Sequence, residues 1–280
     1  MKVLTLNTHS WMEENSEVKL QQIADFIAKE NFSVIALQEI NQTMEVAEVV
    51  DDLFIKAAGE SHPVAIKEDN FALLLVRLLK ERGQTYYWSW TANHVGYDKY
   101  DEGVAILSKT PFVPESFLVS EISDYSNHFT RRVLKGTLML DEKEWVIFSC
   151  HYSWWLSPTG EPLFKGEWDE TLRHISADSN RVNLLMGDFN NEAAVKEEGY
   201  AYMQETAPQL LDAYVKAEDK IGSATVLNDI DGWEGHIDEK RIDYVFTDYS
   251  GDIQSSRVVF DGKIGPVVSD HFGVAVEFKI

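Results

Sequence analysis

The chain has 280 residues, of which 44% are hydrophobic, and this composition excludes a disordered, collagenous or low-complexity protein. Lysine and arginine number 25 against 47 aspartate and glutamate residues, so the formal net charge is −22, which argues against a protein that binds a polyanion through a basic face. The single cysteine, Cys150, excludes an internal disulfide and favours a reducing compartment.

The first third of the chain has patterns of both strands and helices. Strands are predicted over residues 2–6 and 34–37, and helices over 16–30, 43–52 and 71–81. Ser16 is the predicted N-cap of the first helix, and Gly83 is the predicted stop of the third.

The rest of the chain is richer in strands, with two further helices. Strands are predicted over residues 86–91, 104–107, 117–119, 133–140, 145–150, 182–186, 242–247, 257–260 and 274–278. Helices are predicted over 167–177 and 194–206, and 222–235 is predicted to be a loop. Repeats and linkers are absent from the sequence. We therefore expect one α/β domain over residues 1–280, with packed sheets and outer helices.

Polar residues at the predicted strand ends are the candidates for chemistry, because strand ends of a sheet converge on one rim. Most of them, taken singly, are ordinary turn formers, solvated strand ends or structural histidines. Asp243 differs, because it lies between Ile242 and Tyr244 in an apolar strand and its carboxylate needs a partner there. A histidine would be a suitable partner. The candidates are Asn7, Glu39, His151, Asp188, Asn190, Asp243, Asp270 and His271.

These residue types together suit the hydrolysis of a phosphate ester. Mg²⁺ binds one or two carboxylates together with water and substrate oxygens, which fits Glu39. A carboxylate such as Asp188 suits the alignment and deprotonation of water. Donors such as His151, His271 and Asn190 suit the negative charge that grows on the phosphoryl group. A covalent route has no support, because the sequence contains neither a Cys–His pairing nor a GxSxG elbow.

A series of short segments places these residues in a wider pattern. In chain order they are TLNTHS, ALQEI, YDEGVAILSK, FTRRVLKG, FSCHYS, MGDFNN, RIDYVF and VSDHFG. This order resembles the endonuclease/exonuclease/phosphatase superfamily, which includes pancreatic-type DNases, abasic-site endonucleases, inositol polyphosphate 5-phosphatases and sphingomyelinases. The resemblance covers nearly the whole chain. It implies a DNase-like four-layer α/β sandwich, in which two packed mixed β-sheets are flanked by helices, and metal-assisted direct attack of water on a phosphoester.

The resemblance also implies a metal site. Glu39 is the main ligand, Asn7 lies beside the metal, and Asp270 adds a contact to the metal or to a histidine. The implied ion is Mg²⁺, with Mn²⁺ as the alternative, and one or two ions are both compatible with the pattern.

The phosphate and the attacking water are implied to contact the remaining candidates. His151 contacts the phosphate and is oriented by Glu102, while Asp188 positions the water. His271 contacts the phosphate or acts as the base, with Asp243 holding its tautomer. Asn190 and Tyr100 are the further implied phosphate contacts. Arg131, with Arg132 as the alternative, is implied to contact the substrate.

Two departures from the nuclease pattern concern the substrate. Nucleases of this type often carry a cation after the LQE motif, whereas here Asn41 and Gln42 follow Ile40. Three tryptophans follow His151, namely Trp154, Trp155 and Trp168. We interpret them either as core or lid residues or as a sugar-binding rim. If these tryptophans form a rim, the chain is similar to the bacterial maltose 6'-phosphate phosphatases, and a small sugar phosphate is the expected substrate.

Three alternative functions remain. A nuclease acting on DNA or RNA predicts a basic groove, which the net charge disfavours. A sphingomyelinase-like lipid phosphodiesterase predicts secretion and an apolar docking hairpin, but the apolar N-terminal run is too short for a signal peptide. A binding module with an inactive site predicts losses among the candidates, yet all are present. The most apolar stretch, 71–79, is too short to span a bilayer, so we expect a cytoplasmic protein. The sequence does not specify the oligomeric state.

Overall fold

The computed structural model describes residues 1–60, 63–227 and 239–280, so the predicted loop 222–235 lies partly outside the described residues. The strands of the described part are β1 (Lys2–Asn7), β2 (Val34–Thr43), β3 (Tyr87–Gly96), β4 (Tyr100–Ser108), β5 (Val113–Leu118), β6 (Arg132–Leu140), β7 (Lys143–His151), β8 (Arg181–Asp188), β9 (Leu211–Asp212), β10 (Asp219–Ile221), β11 (Asp243–Thr247), β12 (Ile253–Val259) and β13 (Gly273–Phe278). The helices are α1 (Ser16–Glu30), α2 (Phe71–Glu81), α3 (Phe164–Leu172), α4 (Gly199–Thr206) and α5 (Ala213–Lys216), with a 3₁₀ turn at Ser10–Met12.

The described strands form two mixed sheets that pack face to face. One sheet has the order β10-β12-β13-β1-β2-β4-β3, and the other has the order β5-β6-β7-β8-β11-β9. Apolar side chains between the sheets, such as Trp145, Ile147 and Met186, form the central core. Helices α1 and α2 cover the outer face of the first sheet, and α3 and α4 cover that of the second. This four-layer arrangement confirms the expected fold class.

Strand register brings the predicted strand-end residues to one end of the sandwich. In the first sheet, β1 runs parallel to β2 and pairs Asn7 with Gln38, next to Glu39. In the second sheet, β7 runs parallel to β8 and pairs His151 with Asp188. Strand β11 runs antiparallel to β8, so its first residue, Asp243, pairs with the last residue of β8. The described part of the fold therefore assembles the candidates without a long excursion of the chain.

The structure corrects several predicted elements. Residues 43–52 are not a helix, because β2 continues through a bulge to Thr43 and the following turns bridge Glu48 to Lys67. Residue Asn15, not Ser16, is the N-cap of α1. Helix α4 begins only at Gly199, whose backbone N–H donates to the Asn191 side chain, and α3 begins at 164 and ends at 172. Among the described residues, no helix is long and apolar enough to cross a membrane.

Candidate active site

The strand ends border a cleft of about 360 Å³ at the edge where the two sheets meet. The candidates line it together with residues of the β3–β4 hairpin, the segment before β6 and the segment after β7. The lining residues are His9, Glu39, His94, Val95, Gly96, Tyr97, Asp98, Glu102, Ser126, His128, Arg131, His151, Trp154, Asp188, Asn190, Asp270 and His271.

Asn7 ties two carboxylates together at the floor of the site. Its Nδ2 donates to Glu39 Oε1 over 2.8 Å and to Asp188 Oδ2 over 3.1 Å. Its Oδ1 accepts from the backbone N–H of His9 over 3.2 Å, which fixes the orientation of the amide. Asn7 therefore lies beside the carboxylates, and its oxygen is already engaged by the protein.

Glu39 projects from a β-bulge in β2 and has a left-handed backbone, with φ 52°. Burial and the neighbouring charges of Glu102 and Asp270 raise its pKa to about 8, although Asn7 and His9 favour the charged form. A cation bound between Glu39 and Asp270 would favour the charged forms of both carboxylates. The oxygens of Glu39 and Asp270 are ligands that Mg²⁺ prefers, so the donor set fits the implied ion.

Asp188 lies between the two sheets and contacts groups from several strands. Its Oδ1 accepts from the backbone N–H of Asn190 over 2.8 Å, and its Oδ2 lies 3.7 Å from both His151 Nε2 and His271 Nε2. Burial raises the pKa of Asp188 to about 7, against the opposing charge of His271. The preceding residue must be glycine, because a Cβ on Gly187 would lie 1.9 Å from the carbonyl oxygen of Cys150.

His271 and Asp243 form a buried hydrogen-bonded pair. His271 Nδ1 donates to Asp243 Oδ2 over 3.0 Å, so the Nε2 atom faces Asp188. Burial opposes the imidazolium charge, but Asp243 and Asp188 outweigh it and hold the pKa of His271 well above its usual value. The buried carboxylate that the sequence singled out thus has a histidine partner.

His151 has a different environment from the predicted one. Glu102 does not orient it; Glu102 Oε1 instead lies 3.2 Å from His94 Nε2. The atom that faces His151 Nδ1 is Nη1 of Arg131, at 3.5 Å. Because a guanidinium only donates, Nδ1 must accept, and the ring proton is on Nε2. Burial, followed by the charges of Arg131 and His94, lowers the pKa of His151 well below its usual value, so the ring is neutral.

The cleft also contains a histidine that sequence reasoning missed. His9 Nδ1 donates to Glu13 Oε1 over 2.8 Å and lies 3.7 Å from Asp270 Oδ1. Burial opposes its charge, but Glu13, Glu39 and Asp270 raise the pKa of His9 to about 9. Ligand atoms of His9, Glu13 and Asp270 lie within 4.8 Å of one another. The available signal was the position of His9 within TLNTHS, four residues before a glutamate.

The predicted phosphate contacts separate into two groups. Arg131 is buried and lines the cleft, whereas Arg132 turns away and its Nε donates to Ser116 Oγ over 2.9 Å. Asn190 lines the cleft as well, on a left-handed turn with φ 49°. Tyr100 does not line it, because its hydroxyl is held 3.0 Å from Lys99 Nζ, and Tyr97 from the same hairpin does. The phosphate contact that the motif implied for Tyr100 is therefore wrong.

The three tryptophans of the predicted rim lie in different places. Trp154 lines the cleft. Trp155 packs beside Phe164 and Tyr202 and does not line the cleft. Trp168 is fully buried in the core beneath α3, and its Nε1 donates to Thr206 Oγ1 over 2.9 Å. The rim prediction is wrong for Trp168, because the inward face of α3 covers the second sheet. It is also wrong for Trp155, which packs against α3 and α4 instead of lining the cleft.

The chain is similar in sequence and fold to known proteins. A model of the Endonuclease/Exonuclease/phosphatase family matches residues 11–271. An endonuclease/exonuclease/phosphatase family protein from Leptotrichia buccalis C-1013-b is 32% identical, with 100% of each chain covered and a TM-score of 0.84. A mannosyl-6-phosphatase from Bacteroides thetaiotaomicron VPI-5482 is 18% identical over 100% of each chain, with a TM-score of 0.68.

A nucleic-acid enzyme has a similar fold. TDP2 from D. rerio, complexed with a single-strand DNA product, is 13% identical over 100% of this chain and 99% of that chain, with a TM-score of 0.66. At these identities, TDP2 and the mannosyl-6-phosphatase share the fold alone with this chain. No curated protein matches the sequence.

Proposed function

The chain belongs to the endonuclease/exonuclease/phosphatase family, and we propose that it is a Mg²⁺-dependent phosphomonoesterase whose substrate is a small phosphorylated sugar. The family consists of hydrolytic phosphoesterases, which supports an enzyme. The buried carboxylate, amide and imidazole groups at one strand-end cleft support hydrolysis by direct attack of water.

The proposed metal ligands are Glu39 and Asp270, with Asn7 aligning the first. Their oxygens suit Mg²⁺, with Mn²⁺ as the alternative ion. The ion, when bound, would supply Lewis acidity toward a phosphoryl oxygen. Asn7 links Glu39 to Asp188 through one amide nitrogen, so displacement of the metal ligand would also disturb Asp188.

Asp188 is the group we assign to the attacking water. Its Oδ2 lies within 3.7 Å of two imidazole Nε2 atoms, a separation that suits an intervening water or phosphoryl oxygen better than a direct hydrogen bond. Burial holds the pKa of Asp188 at about 7, near the value expected of a general base at neutral pH. His271 shares this site, so the base function rests with the pair rather than with one residue.

The two histidines are assigned unequal roles in binding the phosphoryl group. His271 is held charged by Asp243 and would stabilise negative charge that grows on the phosphoryl oxygens. His151 is neutral, with its proton on the nitrogen that faces Glu39 and Asp188, so it would donate a hydrogen bond without carrying charge. Arg131 and Asn190 line the same cleft and complete the proposed set of phosphate contacts.

A single observation carries the substrate assignment. Of the described residues that line the cleft, Arg131 is the one arginine or lysine, and the charged His9 and His271 are each paired with a carboxylate, in a chain of net charge −22. A nucleic acid presents a row of phosphates and needs several cations, whereas a monoester presents one phosphate. Trp154, Tyr97 and the polar side chains beside them offer a flat face and hydrogen-bonding groups for a sugar. The mannosyl-6-phosphatase with the same fold supports a sugar phosphate, and we propose maltose 6'-phosphate first.

The test compares kcat/KM for maltose 6'-phosphate, mannose 6-phosphate, glucose 6-phosphate, a single-stranded oligonucleotide and an abasic DNA duplex. We expect the sugar monoesters to be preferred, with activity abolished by excess chelator. A preference for either nucleic acid would replace the proposed function by a nuclease. Full activity in chelator would overturn the metal assignment for any substrate.

A further inference from the structure

A fully buried carboxylate lies behind the cleft on α3. Glu167 is 1% exposed and is surrounded by the aromatic cluster of the second sheet, where its neighbours Phe164 and Trp168 are apolar. Burial raises the pKa of Glu167, against the charge of Arg131 and the hydrogen bonds from Ser153. A buried carboxylate destabilises the fold unless its oxygens are hydrogen-bonded. Its presence at a core position therefore requires an explanation beyond packing.

Both oxygens of Glu167 are occupied by one residue. Oε2 accepts from the backbone N–H of Ser153 over 2.8 Å, and Oε1 accepts from the Ser153 hydroxyl over 2.7 Å. Because the hydroxyl proton points to Glu167, the hydroxyl oxygen presents its lone pairs elsewhere. Ser153 comes two residues after His151, at the exit of β7 toward the cleft.

The hydroxyl oxygen of Ser153 accepts from Arg131, the arginine of the cleft. Arg131 Nε donates to Ser153 Oγ at 3.5 Å, and Arg131 Nη1 donates to His151 Nδ1 at 3.5 Å. The arginine backbone is fixed separately, since its N–H donates to Ser120 Oγ over 2.8 Å. The contact with Ser153 therefore sets the direction of the guanidinium rather than the path of the chain.

We propose that Glu167 and Ser153 are positioning residues that hold the Arg131 guanidinium toward the phosphate side of the cleft. The relay runs from the Glu167 carboxylate through the Ser153 hydroxyl to Arg131 and ends at His151. Affinity for a phosphate-bearing ligand thus depends on a carboxylate that no ligand touches. The inference rests on the proposed function only in taking the ligand to be a phosphate ester.

Glu167→Gln is the primary variant, because glutamine has the same shape but one of its two terminal atoms cannot accept from Ser153. We expect the affinity of the Mg²⁺-loaded protein for inorganic phosphate to fall on the order of tenfold, as for loss of a charge-assisted hydrogen bond. Isothermal titration with inorganic phosphate measures this directly. KM for a phosphomonoester should rise by a similar factor, with kcat changed less. Glu170→Gln makes the same change on the solvent side of α3 and should leave both values unchanged.

Ser153→Ala breaks the relay at the hydroxyl, while the backbone N–H of residue 153 still donates to Glu167, and it should reproduce the loss. The decisive comparison is made with Arg131→Met. If the relay acts through the arginine, Glu167→Gln should lower phosphate affinity no further in that background. Equal losses with and without Arg131, or wild-type affinity in both Glu167→Gln and Ser153→Ala, would overturn the proposal. A wild-type protein that hydrolyses no phosphomonoester would instead refute the proposed function, while the phosphate titration still decides the relay.

Discussion

His271 Nδ1 lies 3.0 Å from Asp243 Oδ2, and both side chains are buried. The bond leaves His271 Nε2 facing Asp188, whose Oδ2 is 3.7 Å away. The ring thus contacts two carboxylates that both favour its protonated form. His271 can act on the phosphoryl group only while this orientation holds, so the pair should behave as one unit.

Removing either member of the pair should therefore remove most of the activity. We expect His271→Ala to lower kcat/KM on the order of 10²- to 10⁴-fold, as for loss of an acid–base or oxyanion-stabilising group. Asp243→Asn should lower it nearly as much, because an amide no longer holds the imidazole charged or in one tautomer. Steady-state kinetics of both single variants and the double variant measure the coupling. Losses that multiply in the double variant would show that the two residues act independently.

Glu39 should make the stability of the metal-free protein depend on pH. Burial raises its pKa from 4.5 to about 8, so in this window the unfolded chain releases a proton that the folded protein retains. The free energy of unfolding of the wild type should therefore fall as pH rises through the window, and Glu39→Gln should lack this part of the fall. Urea unfolding in chelator at about pH 5 and about pH 8 measures it. A pH-independent difference between the two proteins would contradict the assignment.

Metal binding should reverse this effect. An ion that binds only the folded state at 100 times its Kd stabilises that state by about 2.7 kcal/mol. Mg²⁺ should thus raise the Tm of the wild type at pH near 8, and Glu39→Gln should respond little. Glu170→Gln, on the outer side of α3, serves as the control and should respond like the wild type. An equal Mg²⁺ response in Glu39→Gln would place the ion elsewhere in the protein.

The convergence of the candidate residues at one rim could be predicted from the sequence because most of them end strands. Asn7, His151 and Asp188 end strands whose apolar patterns are clear, and parallel pairing then forces them to one rim. Pairing between side chains was less accessible. His94 sits opposite Glu102 because a bulge between residues 92 and 94 shifts the β3–β4 register. A one-residue shift of this kind reverses which side chains face the cleft, and periodicity does not encode it.

The sequence also did not reveal which side chains of α3 face the protein interior. The segment after His151 was predicted to contain a helix from residue 167, but α3 begins at Phe164 and turns both Glu167 and Trp168 inward. An inward carboxylate contradicts the simple apolar pattern, so the relay to Ser153 had no signal in the sequence. The exact contact of an interior polar group depends on the fold around it rather than on its own neighbours in the chain.

The buried position of Trp168 gives a prediction of stability rather than of binding. Its ring stacks on Phe164 and its Nε1 donates to Thr206, and the side chain has no exposed surface. Trp168→Ala should lower the free energy of unfolding by about 3–5 kcal/mol, the usual range for loss of a large core aromatic residue. Urea unfolding measures this loss. KM of the folded fraction should stay near the wild-type value, and a selective rise in KM would return Trp168 to the substrate site.

Trp154 is the tryptophan expected to contact the substrate. It lines the cleft, and its ring packs edge to face with Phe129 at a centroid separation of 6.0 Å, which holds the indole in place. Its contact would be with the sugar, remote from the reacting phosphorus. Trp154→Ala should raise KM for a sugar phosphate about threefold to tenfold, the range of a single aromatic contact, with kcat reduced only if the sugar helps to align the phosphate.

The matched control for Trp154 is its neighbour. Trp155 packs on Tyr202 and Phe164 outside the cleft, so Trp155→Ala should lower stability and leave KM nearly unchanged. Both variants are compared on maltose 6'-phosphate and on a small aryl phosphate that has no sugar to place. A KM increase confined to Trp154→Ala and to the sugar substrate supports the contact, because the phosphate site is then intact. Equal KM increases on both substrates would mean that Trp154 shapes the phosphate site instead, and an effect of Trp155→Ala alone would move the sugar site to the other face of the segment.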